Sequence, residues 1–132
     1  MDQISYSLLT AESEADAVQD KGFASGEAIL EAFDAFDWTS QVNTADRLKK
    51  CSPTFSVHDL ATDRLLWVSG ISNNAWSLPF LKRPPALVFV HEYRYAEQTV
   101  ARPRELVLSE ARQAIRHFVA GDHEALLALL AG

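Results

Sequence analysis

The sequence contains very little cysteine: Cys51 is the single one in 132 residues. A lone cysteine excludes an internal disulfide and a zinc site built on cysteines, which favours a reducing compartment. No run approaches the roughly 18 consecutive apolar residues that a membrane-spanning helix needs. The opening MDQISYSLLTAESEADA also lacks the basic flank of a secretory signal. Together these absences predict a soluble, cytoplasmic protein that does not interact with membranes.

Basic residues are scarce in the first part of the chain. Residues 1–46 contain ten acids and one base, Lys21, which gives 1 − 10 = −9, whereas the other 86 residues contain eight acids and eleven bases and sum to +3. Because phosphates are bound by clusters of Lys and Arg, this imbalance argues against a nucleic-acid partner and favours a protein partner with a basic surface. The alternative is that the acids only solvate the outer face of an early helix.

Recognisable catalytic motifs are missing as well. The sequence has no GxSxG, GxGxxG or GxxxxGK[ST] pattern. His58-Asp59 and His91-Glu92 each place a histidine beside a carboxylate, as a general base would require. Adjacent residues of a strand point to opposite faces of the sheet, so neither pair forms a dyad by itself. The pairs gain chemical meaning only if their strands pair so that a residue of one faces a residue of the other.

The other two histidines show no metal-binding spacing. His117 and His123 are six residues apart with Gly121 between them, which matches no usual zinc arrangement. We expect both at the surface near helix ends. The sequence therefore predicts a non-enzymatic protein with no catalytic residue, no cofactor and no metal site.

Apolar and aromatic residues are abundant. Hydrophobic residues make up 48% of the chain, and Phe, Tyr and Trp number 7, 3 and 3. This content is too high for a disordered chain, and the length fits one core, so we expect a single domain over residues 1–132.

Hydrophobic periodicity predicts a mixed fold. From Ser25 onward, Ile29, Leu30, Phe33 and Phe36 recur on one face of an amphipathic helix. The predicted elements comprise strands over 54–60, 65–72, 73–80 and 86–95 and helices over 25–37, 40–50, 110–121 and 123–131, and residues 4–9 are either a first strand or a frayed end. The predicted class is α+β: an antiparallel sheet of three to five strands, with N- and C-terminal helices packed on one face.

Two sets of residues are candidates for contact with a partner. Acids on the outer face of the first helix would attract a basic surface, and exposed rings would anchor it. Trp67 and Phe89, in contrast, are expected in the core. The partner-binding candidates are Glu27, Glu31, Asp34, Asp37, Trp76, Tyr93 and Tyr95.

A resemblance supports this hypothesis. The stretches FDAFDWTSQ, SPTFSVHD and RLLWVSGIS, within residues 30–90, are similar in general character to small cytosolic bacterial immunity proteins of toxin–immunity pairs. The resemblance implies a compact acidic α+β domain that neutralises a toxin by direct contact, without catalysis.

Two other functions remain open. An effector chaperone or homodimeric adaptor would use the leucine-rich C-terminal helix as its interface, although we expect that helix to dock on the core. Its leucines are Leu126, Leu127, Leu129 and Leu130. A small-molecule binding domain or enzyme would need a pocket between sheet and helices, lined by His58, His91 or Tyr93.

Overall fold

A computed structural model describes residues 4–12, 18–48, 52–72 and 87–132, which form a six-stranded antiparallel sheet and four helices. The strands are β1 Ile4–Leu9, β2 Gln19–Phe23, β3 Thr54–Asp59, β4 Arg64–Ser72, β5 Leu87–Tyr95 and β6 Gln98–Thr99. The helices are α1 Gly26–Ala35, α2 Trp38–Leu48, α3 Leu108–Val119 and α4 His123–Ala131. The predicted α+β class is confirmed.

The sheet is larger than the predicted three to five strands, since β2 and β6 add to its edges. The strand order is β2-β1-β3-β4-β5-β6, and every pairing is antiparallel. The sequence of β2, QDKGF, is mostly exposed and lacks apolar alternation, and β6 has two residues. Neither edge strand carries a hydrophobic pattern that predicts it. The strand predicted over 73–80 lies outside the described residues.

One face of the sheet, here called the inner face, carries the core. Its β5 residues include Phe89 and Tyr93, which are fully buried, and His91, which is nearly so. The inner face also contains Phe55, Val57, Leu66 and Val68. Helices from both halves of the chain cover this face, with Ile29, Phe33, Trp38, Ile115 and Phe118 packed in one hydrophobic cluster against it. The opposite, outer face carries the alternate residues of each strand.

Side chains near the helix ends set where the helices start. The Ser25 hydroxyl accepts a hydrogen bond from the Ala28 N–H at 3.1 Å, as expected for the cap of α1. Asp37 Oδ1 accepts one from the Ser40 N–H at 3.1 Å, and α2 therefore begins at Trp38, two residues earlier than predicted. Asp37 thus lies at the junction between the two helices.

The C-terminal helix docks on the core, as predicted. Leu126 and Leu130 are buried in the hydrophobic cluster, whereas Leu127 is 38% exposed. Asp122 caps α4 by accepting from the Ala125 N–H at 3.2 Å, and Gly121 precedes it with a φ of +74°. None of the helices in the described segments has the length and apolar character to cross a membrane.

Candidate functional site

A depression of about 590 Å³ lies where α1 ends and where α2 and α3 begin; we call it the helix-junction depression. Phe33 and Trp38, both buried, form its apolar base, and Leu108 is exposed beside it. The complete lining is Phe33, Asp34, Ala35, Phe36, Asp37, Trp38, Thr39, Leu108, Ser109 and Arg112. Its volume falls within the range of ligand pockets, and two predicted site residues, Asp34 and Asp37, contribute to it.

The short link between α1 and α2 positions Asp37 at the edge of the depression. The Phe36 N–H donates to the Phe33 carbonyl at 3.3 Å, and the Trp38 N–H donates to the Phe36 carbonyl at 3.0 Å. These bonds turn the chain tightly, so Asp37 is exposed at the edge of the depression. Its Oδ1 caps α2, which leaves Oδ2 without a hydrogen-bond donor among the described residues.

Asp34 is already paired. Arg112 of α3 donates to both of its carboxylate oxygens, with Nε–Oδ1 at 2.8 Å and Nη2–Oδ2 at 3.0 Å. The hydrogen bond from Arg112 lowers the pKa of the Asp34 carboxyl. With two carboxylates and one guanidinium, the lining has a net charge of −1, which favours a cationic guest.

Trp38 has an indole N–H with no hydrogen-bond partner among the described residues, although the side chain is only 4% exposed. A Cβ placed on Gly70 of β4 would lie 3.1 Å from Trp38 Cε3 and 3.5 Å from Cζ3, so that edge of the indole faces the sheet. Nε1 lies on the opposite edge and is therefore directed away from Gly70, where it is enclosed by the protein. Buried donors without a partner are uncommon and mark places where an acceptor is missing.

The other two predicted acids lie along α1. Glu27 and Glu31 are exposed and line a groove of about 480 Å³ between α1 and α3, together with Arg116. Neither glutamate forms an ion pair or hydrogen bond with any residue in the described part of the chain. The four predicted acids are therefore all exposed, but Asp34 is paired and Asp37 is half engaged.

Tyr93 does not have the exposed position that a partner anchor requires, which corrects the sequence-based assignment. It is fully buried on the inner face, and its hydroxyl accepts from Arg64 Nη1 at 2.6 Å. The same hydroxyl lies 2.7 Å from Nδ1 of His123. Arg64 can only donate, so the tyrosine oxygen accepts that bond, whereas the direction of the bond to His123 depends on which ring nitrogen carries the proton.

Two side chains of this network have shifted pKa values, mainly because they are buried. Burial raises the pKa of the Tyr93 hydroxyl, and burial together with Arg64 lowers the pKa of His123. The expectation that His123 is a surface residue is therefore wrong: it is half-buried and joins α4 to β5. The two side chains are 30 residues apart, and no local sequence pattern predicts such a contact.

The remaining aromatic candidates differ in exposure. Tyr95 is 46% exposed, and the Arg64 guanidinium lies 4.2 Å from the centre of its ring. Phe89 is in the core as predicted, but Trp67 lies on the outer face, half-buried, with Nε1 donating to Glu92 at 3.2 Å. Trp76 lies outside the described residues.

The two central histidines do not meet. His58 pairs with Leu65 and lies on the outer face, whereas His91 pairs with Val68 and lies on the inner face. A pocket that contains both is therefore ruled out by the register. His91 is 7% exposed, and neither ring nitrogen has a hydrogen-bond partner among the described residues. Burial, with a smaller effect of Arg104, lowers the pKa of His91.

His58 borders a second depression, of about 230 Å³, on the outer face. Ser5, Ser7 and Ser56 line it too, but none of these hydroxyls has a hydrogen bond with His58. Among the described residues, the ring is paired with Asp63, whose Oδ1 lies 3.7 Å from Nε2. A serine nucleophile activated by a histidine needs a hydrogen bond between its hydroxyl and the ring, and the serines around His58 do not form one.

No group of three or more metal-ligating side chains occurs within the described ranges. Comparison of the chain with protein-family models, with curated proteins and with solved structures finds no match. The resemblance to immunity proteins accordingly stays a prediction.

Proposed function

We propose that this protein is a non-enzymatic binding protein that captures a basic protein partner at the α1–α2 junction, in the manner of an immunity protein that neutralises a toxin by contact. The observation that carries the proposal is the helix-junction depression, which combines an apolar base with exposed carboxylates. We place its activity in the reducing cytoplasm, because Cys51 has no cysteine partner in the chain.

The charge distribution supports a basic partner. Glu27 and Glu31 are exposed beside the depression and are not neutralised by an ion pair with a described residue. A cluster of unpaired carboxylates raises the rate at which a positively charged protein arrives and orients it before contact. Apolar surface then contributes to affinity once the complex has formed, as hydrophobic interface centres do.

The competing functions have less support among the described contacts. The histidine-lined pocket would need His58 and His91 on the same side of the sheet, and they lie on opposite faces. A dimer through α4 would need its leucines free, whereas Leu126 and Leu130 are buried within one copy of the chain.

Charge reversal on α1 tests the proposal. The chain would be co-expressed with the product of the neighbouring reading frame to measure growth rescue, and the association rate of the two purified proteins would be measured at low and high salt. We expect Glu27→Lys with Glu31→Lys to slow association about 10-fold or more at low salt, with a smaller effect at high salt, because exposed charges are screened.

A matched control reverses the same charges elsewhere. Glu97, in the β5–β6 turn, and Glu124, in the first turn of α4, are both exposed. Glu124 matches Glu27, which lies in the first turn of α1. The control Glu97→Lys with Glu124→Lys should leave association nearly unchanged. Equal loss in both variants would show that only net charge matters, and failure to bind or rescue at all would contradict the immunity assignment.

A further inference from the structure

We infer that α4 is an acid-sensitive latch: it stays docked on the core while the His123 ring is neutral, and it opens about Gly121 when that ring takes up a proton. Opening would uncover Leu126 and Leu130, which are buried in the docked chain. The latch is separate from the acids of α1 and goes beyond the proposed function.

The first residue of α4 is joined to the sheet by a hydrogen bond that protonation changes. Nδ1 of His123 lies 2.7 Å from the Tyr93 hydroxyl, which also accepts from Arg64 Nη1 at 2.6 Å. In a neutral ring Nδ1 can accept the hydroxyl proton, whereas in an imidazolium both ring nitrogens carry protons and Nδ1 can only donate. The tyrosine oxygen would then receive two cationic donors, and its own proton would have no acceptor among the described residues. Because a buried donor without an acceptor is costly, protonation weakens the bond that holds α4.

The charges around the ring act in both directions. Arg64 of β4 forms no ion pair with a carboxylate in the described part of the chain, and its Nε is buried without a partner there, so its charge opposes a second cation. Asp59 of β3 and Asp122, the cap of α4, favour the protonated ring. Burial and Arg64 outweigh these two carboxylates, so the pKa of His123 is lowered. A cation in the first turn of a helix also opposes the helix dipole.

The docked ring is enclosed by aromatic side chains. It stacks on Tyr93 of β5, with centroids 6.1 Å apart and an angle of 16°, and meets the edge of Phe118 of α3 at 5.9 Å and 83°. In the open chain the ring is hydrated and has the ordinary histidine pKa of about 6.5. The open state therefore binds the proton more tightly. Docking is strongest above this pH and weakens below it, by up to about 10-fold per pH unit in the docking equilibrium for one proton.

The other contacts of α4 allow it to move as a unit. The helix packs chiefly on α3, and Gly121, with a φ of +74° and open space around it, links the two. Near its end, the Leu129 carbonyl accepts from Arg104 Nη1 at 3.1 Å, and Arg104 is held by Glu110 at 2.7 Å. Arginine keeps its proton, and the pKa of Glu110 is lowered, so this contact does not titrate between pH 5 and 7.5. The pH response of α4 in this range is thus assigned to His123.

Hydrogen exchange of the ¹⁵N-labelled full chain, followed by nuclear magnetic resonance at pH 7.5 and 5.5, tests the inference. Protection factors divide the intrinsic exchange rate by the observed one, which removes the direct effect of pH. We expect the amides from Leu126 to Leu130 to lose protection by up to about 10-fold at pH 5.5. The amides of Ile29 and Phe33 in α1 report unfolding of the whole chain and should lose less. The ring signals of His123 in the same samples should titrate below pH 6.5.

Two matched variants assign the response to one ring. His123→Asn places an amide near the position of Nδ1, so it can still bond to Tyr93 but gains no charge in this pH range. Its α4 protection factors should change no more than those of α1. His117→Asn is the control, because that ring, in the last turn of α3, has no hydrogen bond with a described residue. It should keep the wild-type response. Each variant is compared with itself at two pH values, so a general change in its stability does not decide the result.

Three results would overturn the inference. Equal loss of protection in α4 and α1 of the wild type would show that the chain unfolds as a whole and that α4 is not a latch. A wild-type response in His123→Asn, or its disappearance in His117→Asn, would assign the pH dependence to another group.

Discussion

The inner face of β5 runs between two ends of the core, which differ in how many of their polar groups form hydrogen bonds. At the Phe89 end, the ring packs edge-on against Trp38 with centroids 4.9 Å apart, and the indole N–H of Trp38 has no partner among the described residues. At the Tyr93 end, the hydroxyl accepts from Arg64 and forms a second hydrogen bond with Nδ1 of His123. There, Arg64 Nε is the buried polar atom that stays unpaired among the described residues.

The two ends have similar compositions, since each combines aromatic rings with charged or polar side chains. What separates them is whether those side chains bind one another. At the Tyr93 end, α4 closes over the sheet and the polar groups serve stability. At the Phe89 end, the junction of α1 and α2 leaves a depression of about 590 Å³ beside α3. The two ends therefore differ in how their polar groups are paired rather than in composition, and the depression lies at the end where the indole N–H is unpaired among the described residues.

The largest expected loss of stability comes from removing a buried side chain at the Tyr93 end of the core, where α4 packs. Leu126 lies in α4 and is fully buried, so Leu126→Ala removes apolar contact and leaves a cavity. We expect the free energy of unfolding to fall by about 2–5 kcal/mol, measured by urea denaturation. The matched control is Leu127→Ala in the same helix, where 38% of the side chain is exposed and the loss should be much smaller. Similar losses in both variants would mean that α4 is not docked as described.

A smaller effect is expected from removing the hydroxyl at the centre of the network. Tyr93→Phe keeps the ring but leaves Arg64 Nη1 and His123 Nδ1 without their partner. We expect a loss of about 1–3 kcal/mol in the free energy of unfolding, because unsatisfied groups are costly when buried. Tyr95→Phe is the control, since that ring is 46% exposed and its contact with Arg64 is through the ring face. If Tyr93→Phe were as mild as Tyr95→Phe, the closed end would not depend on the network.

The sequence predicts elements well where hydrophobic periodicity is strong. The first amphipathic helix, the β3–β4 hairpin and the last two helices follow from local patterns, and Ser25 and Asp122 account for the caps of α1 and α4. The edge strand β2 does not, because its residues are exposed and pair only through backbone hydrogen bonds with β1.

The candidate site is predicted only in part for a related reason. Local charge identifies Asp34 and Asp37, but the pairing of Asp34 with Arg112 joins residues 78 apart. The buried Tyr93 hydroxyl also pairs with a distant residue, His123. Which ring is an anchor and which is core is decided by tertiary contacts, and alternation along one strand does not contain that information.

The smallest effect concerns His91, which lies on β5 between the two ends. Its ring is 7% exposed, has no hydrogen-bond partner among the described residues and has a pKa lowered mainly by burial. The unfolded chain therefore binds this proton first as the pH falls. Stability should be level above the ordinary histidine pKa of about 6.5 and should decrease below it, by at most about 1.4 kcal/mol per pH unit for each such proton.

Denaturation curves between pH 7.5 and 5 measure this dependence in the wild type and in His91→Leu. The pKa of His123 is lowered too, so the variant should keep part of the slope and lose the share that belongs to His91. The carboxyls with lowered pKa values, Asp34, Glu92 and Glu110, lose their stabilising effect only at more acidic pH, which keeps this window specific for histidine. If the free energy of unfolding depended on pH equally in His91→Leu and in the wild type, the His91 ring would be accessible to water when protonated. Its burial on the inner face would then be wrong.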